Sequence, residues 1–403
     1  MTERVRLEVE EYLTEVLALV SPLDQTESVP LAEAAGRTLG EAVAASVDVP
    51  VFDNSAMDGF AVQFDSVSPG DTLREVGDVP AGSGADPAFG PGECVRIMTG
   101  AKVPTAADTI IQREFVTEEA GAIRVNQMPS RKGLHVRRAG EDFRAGQTLL
   151  EPGTVLGAHH LALAASCGVG TVAVVRRPRV VVVATGDELV RPGGSLDPGQ
   201  IHESNLTQLA ASLADDGAEI IERLWLPDDP AAFAAGLDAV AGRADLIVMS
   251  GGVSAGDHDV VRISLSERAE GTFRHVQMQP GKPQGWARWN GTPVVGLPGN
   301  PLSTAVSHQL FVRPLVEKML GLAPRPWSAA VAGEGWDSPP GRRQFIPVVV
   351  EHDAAGLRLV RPAHRRGSAS HMVSALSRAH ALADVPAEVG HVNAGDVVTI
   401  RSL

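Results

Sequence analysis

Hydrophobic and polar residues alternate with different periods along the chain, and each period predicts a different kind of element. Residues 5–20 place apolar side chains three or four positions apart, which predicts an amphipathic helix. Helix-forming residues predict a second, short helix around Leu31 to Gly40. From about residue 46 to residue 139, glycine, proline and aspartate separate short β-prone runs. Strands are expected there near Glu93–Met98, Thr109–Val116 and Ala122–Gln127.

The middle of the chain alternates continuous apolar runs with helical periods. The runs lack polar alternation, which is typical of strands buried on both faces of a parallel sheet; they are Arg179–Ala184, Leu246–Met249 and Pro293–Leu297. One helix is expected to begin near Asn205. Another is expected to begin at Pro301 with Asn300 as its N-cap, and Pro314 should end or kink it. We predict a doubly wound parallel-sheet domain over residues 177–326.

Changes in this pattern divide the chain into four predicted domains. After Leu320, alternating residues with turns at DAAG and NAGD predict the antiparallel strands of a small β-barrel-like domain. A chain of 403 residues is expected to hold more than one core, because single cores stop growing at roughly 250–300 residues. The predicted fold class is α/β plus β. The predicted domains are an N-terminal helical and linker domain (1–45 with 140–176), a β-rich domain (46–139), the α/β domain (177–326) and the C-terminal domain (327–403).

Composition argues against several classes of protein. The longest apolar run is far shorter than the ~20 residues that a membrane-spanning helix needs, and the charged N-terminus does not resemble a signal peptide. Cys94 and Cys167 are too few for a disulfide framework or a cysteine-based metal site. A net charge of −14 argues against nucleic acid, although local cations and a divalent metal could still hold a phosphorylated ligand. We expect a cytoplasmic protein with a small-molecule ligand and without a membrane or nucleic-acid partner.

Pairs of acidic residues follow three predicted strands of the α/β domain. Because the carboxyl ends of parallel strands meet at one edge of a sheet, these side chains are expected to lie close together. Their mutual repulsion favours a bound cation, and Mg²⁺ prefers such oxygen ligands. The alternative is that they cap helices, because aspartate is favoured at helix N-termini. The pairs are Asp187 with Glu188, Asp228 with Asp229, and Asp257 with Asp259.

Glycine-rich turns follow two strands of the same domain. Glycine lets backbone N–H groups approach a phosphate, so SGGVS (Ser250–Ser254) and PGNP (Pro298–Pro301) are candidate anion sites. Alternatively, both are only tight strand-to-helix turns, because neither has the spacing of a P-loop or of GxGxxG. Lys282, held between a glycine and a proline, is either a phosphate contact or an ordinary surface lysine.

Polar residues also crowd one turn of the β-rich domain, in FDNSAMDGFAV. Its Asp53, Asn54, Ser55 and Asp58 form either Asx-type turns or a ligand-binding loop. Thr99 supplies a hydroxyl at a strand end, which in isolation is more often structural.

Taken together, these stretches resemble one family. They are PVFDNSAMDGFAV, GDVPAGS, RIMTGAKVPTAADTII, RRAGEDFRAGQTLL, ATGDELV, IHESNLTQL, IVMSGGVSAGDHDVV, MQPGKPQG and GLPGNPLST, in this order. The set is similar to the motifs of the molybdopterin molybdenumtransferase family, to which the gephyrin E domain is related. The resemblance covers about residues 46–310, and the two termini match only in their general residue pattern.

The resemblance implies an activity and an assembly. Such enzymes insert molybdate into adenylylated molybdopterin with Mg²⁺ and release AMP, so a molybdopterin adenylyltransferase is an expected partner. They are elongated homodimers, in which the α/β domain of one subunit would face the β-rich domain of the other across a cleft. A non-catalytic, scaffold-type paralogue of the gephyrin kind is the alternative. An adenylyltransferase is a third reading, which the flanking β-rich pieces argue against.

The family resemblance also transfers candidate residues by motif. Candidate catalytic residues are Asp58, Thr99, Asp142, Glu188, Asp228 and Asp259, of which Glu188, Asp228 and Asp259 are candidate Mg²⁺ ligands. Candidate ligand-binding residues are Ser250, Gly251, Gly252, Ser254, Lys282, Pro298, Pro301 and, by a looser match, Ser370. The family often has lysine where Gln279 stands, so a positive contact is either missing or supplied elsewhere, with Arg365 or Arg366 as candidates.

Overall fold

The computed structural model of the protein describes residues 6–253 and 260–403. Contacts between residues divide the chain into two compact units. We call Met1–Thr26 with Val175–Leu403 the α/β-barrel unit, and Glu27–Val174 the β-rich unit. The four predicted domain boundaries stay a prediction, and each unit is described by itself.

The N-terminal segment packs into the α/β-barrel unit. Strand β1 (Arg6–Leu7) is followed by helix α1 (Val9–Leu17). The N–H of Glu8 donates to Glu11 Oε2 at 2.9 Å, which satisfies one of the donors left free at the helix start. Tyr12 is fully buried, and its ring meets Phe311 edge to face with 4.8 Å between the ring centres. The predicted N-terminal helix is therefore confirmed, and its apolar face joins the α/β core.

The β-rich unit consists of short strands in a six-stranded sheet and several two-stranded sheets. Its strands are β2 (Thr26–Pro30), β3 (Val43–Ala44), β4 (Asn54–Ser55), β5 (Gly59–Val62), β6 (Thr72–Val79), β7 (Glu93–Ile97), β8 (Thr109–Gln112), β9 (Val116–Glu119), β10 (Ala122–Val125), β11 (Val136–Arg137), β12 (Thr148–Leu150) and β13 (Thr171–Val175). Its helix is α2 (Ala158–Ser166).

The six-stranded sheet has the strand order β8-β5-β7-β6-β10-β9. Strands β6 and β7 are parallel, and the other neighbours are antiparallel. Alternate residues of β5 enter different cores, because Phe60 and Val62 pack on one side and Ala61 packs on the other. Each face of the sheet therefore carries its own core.

Two expectations for this unit are wrong in detail. The helix predicted from Leu31 to Gly40 is reduced to a 3₁₀ turn at Leu31–Glu33. Gly36 adopts a left-handed conformation with φ +74°, which ends helical structure. The strand predicted over Thr109–Val116 is broken after Gln112 by a 3₁₀ turn, so the chain reverses earlier than its β-branched residues suggest.

The rest of the α/β-barrel unit alternates strands and helices and then continues as strands. Its strands are β14 (Arg179–Thr185), β15 (Leu189–Val190), β16 (Ile201–His202), β17 (Glu219–Leu226), β18 (Leu246–Ser250), β19 (Glu270–Val276), β20 (Met278–Gln279), β21 (Pro283–Trp289), β22 (Thr292–Leu297), β23 (Ser328–Ala332), β24 (Trp336–Asp337), β25 (Arg343–His352), β26 (Arg358–Pro362), β27 (Ala381–Val385), β28 (His391–Val392) and β29 (Val397–Ser402). Its helices after α1 are α3 (Asn205–Asp215), α4 (Pro230–Val240), α5 (Val260–Arg268), α6 (Pro301–Ser307), α7 (Arg313–Met319) and α8 (Val373–Leu376).

A seven-stranded sheet forms the centre of this unit, with the order β1-β19-β21-β22-β18-β14-β17. Strands β22, β18, β14 and β17 are parallel, and β21 runs antiparallel to both of its neighbours. Strand β14 is buried from Val180 onward, and its alternate residues enter two separate cores. The parallel strands predicted from the apolar runs are confirmed, and the α/β fold class with them. The antiparallel strands extend the sheet on one side.

The helix that begins at Pro301 is interrupted where a proline was expected to disturb it. Helix α6 passes at His308 into a π-helical segment that ends at Val312, and α7 then continues to Met319. Pro314 lies in the first turn of α7 and lacks the N–H that an α-helix would use there. The wider π turn before it absorbs this missing bond, so the predicted kink takes the form of a bulge.

The C-terminal strands close into a small barrel. Neighbouring strands follow the order β25-β26-β23-β29-β27, and β27 pairs back onto β25. Valine, alanine and isoleucine side chains fill its interior, including Ile346, Val348 and Ile400. The predicted C-terminal β-barrel-like domain is confirmed. Within the part of the chain described, no helix has the length and apolar character needed to cross a membrane.

Candidate functional site

An open cleft of about 550 Å³ lies where the parallel strands of the α/β-barrel unit end. Its walls are the turns that follow β14, β17, β18 and β22, which is where open α/β sheets bind their ligands. The structure brings together here residues predicted from four separate turns. Those that line the cleft are Glu188, Asp228, Ser250, Gly251, Gly252 and Pro298.

The floor of the cleft is made by two turns packed backbone to backbone. Gly251 has φ +97°, and a Cβ placed on it would lie 3.1 Å from the carbonyl oxygen of Thr185. A Cβ on Gly299 would lie 3.5 Å from the Cα of Gly251. The N–H of Gly251 donates to the carbonyl of Leu297 at 3.1 Å, which ties the two turns together. Glycine is therefore required at position 251 both for its backbone conformation and for space.

The acidic residues after β14 and β17 meet at one side of this cleft. The N–H of Asp228 donates to Asp187 Oδ1 at 3.2 Å, and the N–H of Asp187 lies 3.4 Å from Asp228 Oδ2. The carboxylate of Glu188 folds over Gly186, where a Cβ would come within 2.6 Å of Glu188 Oε2. Asp229 instead caps α4, because its Oδ1 accepts from the N–H groups of the helix start. The adjacent residues Asp228 and Asp229 therefore make different contacts, one at the cleft and one at the start of α4.

The predicted metal ligands are only partly described. Glu188 and Asp228 line the cleft, while Asp259 and Ser254 lie outside the described residues. Among the described residues, no group of three or more histidine, cysteine, aspartate or glutamate side chains is arranged to hold a metal ion. Carboxylate oxygens do suit Mg²⁺, which needs only one or two of them beside substrate and water. The carboxylates of Glu188 and Asp228 are therefore chemically suited to Mg²⁺. The predicted set of three ligands stays a prediction.

Two buried polar residues at the cleft were not assigned a role from the sequence, although they lie in the quoted motif IHESNLTQL. Glu203 Oε1 accepts the N–H of Leu206 at 2.7 Å and so stabilises the start of α3. Asn205 Nδ2 donates to Ser250 Oγ at 2.7 Å and to the carbonyl of Gly299 at 2.6 Å. A polar residue opening a helix is locally indistinguishable from a cap, so only the long-range contacts reveal this connection.

The PGNP turn is held from two directions. Thr304 Oγ1 donates to the carbonyl of Pro298 at 2.6 Å, while Pro301 is the first residue of α6. Asn300 Nδ2 donates to Ser370 Oγ at 3.2 Å, and the carbonyl of Ser370 accepts the N–H of Leu302 at 3.1 Å. The loosely matched Ser370 is therefore placed directly against the turn that lines the cleft.

Lys282 lines a second, smaller cavity of about 80 Å³ in the same unit. Arg6 and Arg342 also line it, and Arg342 Nη1 lies 3.4 Å from Gln279 Oε1. Among the described residues, none of these three cations forms an ion pair with a carboxylate. The cation that the structure places beside Gln279 is thus Arg342, whereas Arg365 and Arg366 were the candidates from sequence.

Three predicted catalytic residues belong to the β-rich unit. Asp58 Oδ1 accepts from both the N–H and the Oγ1 of Thr99, each at 2.7 Å. These two hydrogen bonds hold the pKa of the exposed Asp58 carboxyl below its usual value. Asp142 donates its N–H to the carbonyl of Val49 at 2.9 Å. The structure therefore brings two of the candidates, Asp58 and Thr99, into direct contact within this unit on its own.

Comparisons with known proteins cover nearly the whole chain. The description "MoeA N-terminal region (domain I and II)" matches residues 7–168, "Probable molybdopterin binding domain" matches 181–318 and "MoeA C-terminal region (domain IV)" matches 329–403. Molybdopterin molybdenumtransferase 2 of Mycobacterium tuberculosis is 41% identical over 389 residues, with 93% of this chain and 95% of that protein covered. The chain belongs to the molybdopterin molybdenumtransferase family.

Other relatives of this family agree with that assignment. Molybdopterin molybdenumtransferase of Haemophilus influenzae is 35% identical over 381 residues, with 94% of each chain covered. Two crystal structures of the molybdopterin biosynthesis MoeA protein of Pyrococcus horikoshii match over 99% of this chain and at least 99% of theirs. Their TM-scores are 0.83 and 0.81, at 31% and 26% identity. The predicted family and fold class are confirmed, and the names of the relatives support a transferase over the scaffold alternative.

Proposed function

We propose that the protein is a molybdopterin molybdenumtransferase that inserts molybdate into adenylylated molybdopterin and releases AMP. The observation that carries the proposal is the cleft at the ends of the parallel strands. It combines two glycine-rich turns with the acidic pair Glu188 and Asp228, neither of which has a basic partner among the described residues. Such a cleft suits a phosphorylated ligand that arrives with a divalent cation. The transferase names of the relatives add the reaction.

The ligand's negative charge requires donors and cations, because the protein itself carries a net charge of −14. We assign the hydroxyl of Ser250 and the backbone of Gly252 to the pterin phosphate or the pyrophosphate, since both line the cleft. Lys282, Arg342 and Arg6 provide a positively charged cavity that suits a tetrahedral oxyanion such as molybdate. Gln279 then orients Arg342 rather than providing charge itself.

Glu188 and Asp228 are the described residues that would hold Mg²⁺, and Asp259 is the third candidate from the sequence. A bound Mg²⁺ would supply Lewis-acid stabilisation of charge on the phosphoanhydride. The protein's own contribution is to hold the phosphate groups in one orientation and to keep basic side chains away from these two carboxylates. No described residue is placed as a covalent nucleophile.

We also propose a homodimer in which Asp58, Thr99 and Asp142 of one subunit complete the cleft of the other. The support is the family resemblance, which assigns these β-rich residues to the reaction. In this proposal Asp58 or Asp142 positions the water or molybdate oxygen that attacks the phosphoanhydride. The hydrogen bonds from Thr99 lower the pKa of Asp58 and so favour its ionised carboxylate, which suits accepting a hydrogen bond from the attacking group.

The cellular setting follows from this chemistry. We propose a cytoplasmic enzyme that receives its substrate from an adenylyltransferase reaction, because adenylylated molybdopterin must be supplied by adenylyl transfer to molybdopterin. Direct transfer between the two enzymes would limit loss of a reactive intermediate.

The deciding experiment measures AMP release from adenylylated molybdopterin with Mg²⁺, with and without molybdate. We expect release that depends on both ions. Tight binding without release would contradict the transferase and indicate a non-catalytic binding paralogue; exchanging Gln279→Lys would then be the first variant to assay. Absence of binding would contradict the ligand class as well.

A further inference from the structure

One buried asparagine connects the two glycine-rich turns of the cleft. Asn205 opens α3, is only 9% exposed and lines the cleft. Its Nδ2 donates one hydrogen bond to Ser250 Oγ at 2.7 Å and another to the carbonyl of Gly299 at 2.6 Å. Ser250 is the last residue of β18 and Gly299 follows β22, so one side chain from a third element contacts both turns.

The orientation of the Asn205 amide follows from its partners. The carbonyl of Gly299 can only accept, and a flipped amide would place two oxygens 2.6 Å apart. The NH₂ group must therefore face Gly299, and Ser250 Oγ must accept from it. The hydroxyl proton of Ser250 is then left for a different acceptor. Among the described residues Ser250 Oγ has no other hydrogen-bond partner, and Ser250 lines the cleft.

The second hydrogen bond has a similar consequence for the backbone. In a trans peptide the carbonyl and the N–H point in opposite directions. Because Asn205 holds the carbonyl of Gly299, the N–H of Asn300 in the same peptide is directed away from α3. Gly299 and Asn300 both line the cleft. Asn205 thereby orients a hydroxyl donor and a backbone donor together.

The remaining polar atom of Asn205 makes no contact that would favour the opposite orientation of its amide. Its Oδ1 is buried and has no hydrogen-bond partner among the described residues. A buried amide oxygen without a donor disfavours folding, and such groups in native proteins call for an explanation. The two donated bonds supply that explanation, because only an amide with this orientation makes both of them while leaving the Ser250 proton free.

We propose that Asn205 is a positioning residue that orients the Ser250 hydroxyl and the Asn300 N–H for an anionic group of the bound ligand, of the phosphate class. This inference rests on the proposed function, since it names how that same cleft recognises its substrate. Asn205 acts through these two groups and does not itself touch the ligand.

The test compares variants of the full chain in two assays. One is molybdate-dependent AMP release, resolved into KM and kcat. The other is calorimetric binding of adenylylated molybdopterin without molybdate. We expect Asn205→Ala and Ser250→Ala each to raise KM and Kd about 10-fold, the value of one hydrogen bond to a charged group, with kcat changed less than about twofold. The double variant should be no worse than Asn205→Ala alone, because the Ser250 hydroxyl is one of the two groups through which Asn205 acts.

Asn205→Asp is a more stringent variant. Its carboxylate would accept the hydrogen bond from the Ser250 hydroxyl, and it would repel both the Gly299 carbonyl and the anionic ligand. We expect KM to rise about 100-fold for this nearly isosteric change. Thr207→Ala, exposed on the same helix, is the control and should leave KM and Kd unchanged. If Asn205→Ala does not fold, Ser250→Ala must still show the 10-fold rise.

Each outcome separates this inference from the function on which it rests. If the wild type binds the ligand and either Asn205→Asp or Ser250→Ala keeps the wild-type KM, the positioning role is overturned and the proposed function is not. Additive effects in the double variant would also overturn it, because the two residues would then act independently. A wild-type protein that binds no ligand would overturn the proposed function and this inference together.

Discussion

Several acidic residues of the β-rich unit have basic partners, whereas, in the part of the chain that the structure describes, the acidic residues at the cleft of the α/β-barrel unit do not. The pairs in the β-rich unit include Asp53 with Arg138, Glu75 with Arg96, Glu118 with Arg96 and Arg113, and Asp108 with Lys132. At the cleft of the α/β-barrel unit, Glu188 and Asp228 have no basic partner among the described residues. The same residue types are thus paired with bases at these positions and left uncompensated at the cleft, although the α/β-barrel unit has ion pairs elsewhere, such as Arg176 with Asp245. Uncompensated acids beside a cavity support the proposed cation site.

Local geometry alone does not make this distinction. Asp58 accepts from the N–H and hydroxyl of Thr99, and Asp86 accepts from the N–H and hydroxyl of Thr105 at 2.7 and 2.6 Å. Both carboxyls have a pKa below the usual value for the same reason. Only Asp58 lies in a motif that resembles the family's catalytic residues. The Asp86 pair is therefore a built-in control for the Asp58 pair.

The largest expected effect separates two adjacent aspartates. Asp228→Ala should lower molybdate-dependent AMP release by about 100-fold or more, because a candidate Mg²⁺ ligand at the cleft is removed. Its thermal unfolding should stay close to wild type, since Asp228 makes only weak contacts with Asp187. Activity and unfolding temperature are measured on the same preparation.

Asp229→Ala is the matched control, and it should show the reverse. Loss of the cap on α4 should lower the free energy of unfolding by ~1 kcal/mol, with activity within about twofold of wild type. Equal loss of activity in both variants would contradict the division of roles between the two residues.

The second effect distinguishes the two aspartate–threonine pairs. Asp58→Ala should lower kcat about 10-fold to 100-fold, because a residue that positions the attacking oxygen is lost. Asp86→Ala removes a pair of the same residue types with the same two donor groups and should leave kcat unchanged. Both variants are assayed for AMP release under the same conditions as wild type.

Mixing variants tests whether the site is shared between subunits. Asp58→Ala and Asp228→Ala subunits, each expected alone to keep about a tenth of wild-type activity or less, should together recover about a quarter of it if they exchange. Half of the dimers would then be mixed, and each mixed dimer would hold one intact site. No recovery after demonstrated subunit exchange would contradict the shared cleft.

Sequence patterns predicted the elements of this fold well because the relevant signals are local. The continuous apolar runs form the parallel strands β14, β18 and β22. The polar residues that follow these strands therefore lie at the same edge of the sheet. The helix predicted at Leu31–Gly40 failed for a local reason too, since Gly36 adopts a left-handed conformation that composition did not weigh. Turn conformation was the weaker part of the prediction.

The finer structure of the site could not be predicted in this way. Asn205 is 94 residues from Gly299, and Arg342 is 63 residues from Gln279, so no spacing rule joins them. The acidic pattern alone did not separate Asp228 from Asp229; the family resemblance selected Asp228, and the cap on α4 shows the structural role of Asp229. Family resemblance identified the motifs that matter, whereas long-range hydrogen bonds show which atoms within them are already engaged.

The smallest expected effect concerns the pH dependence of stability in the β-rich unit. Thr99 and Thr105 lower the folded-state pKa of Asp58 and Asp86 below the ordinary value of 3.8. A carboxyl with a depressed pKa stabilises the fold fully above its unfolded-state pKa and loses that contribution as the pH falls through the folded-state value.

Asp86→Asn should therefore have a slightly lower unfolding temperature than wild type at pH 6, and the difference should close as the pH falls below 3.8. Unfolding temperatures measured across roughly pH 2–6, a range that spans this pKa, check the prediction. A difference that persists unchanged at the acid end would show that the hydrogen-bond geometry, and not the charge of Asp86, stabilises the turn.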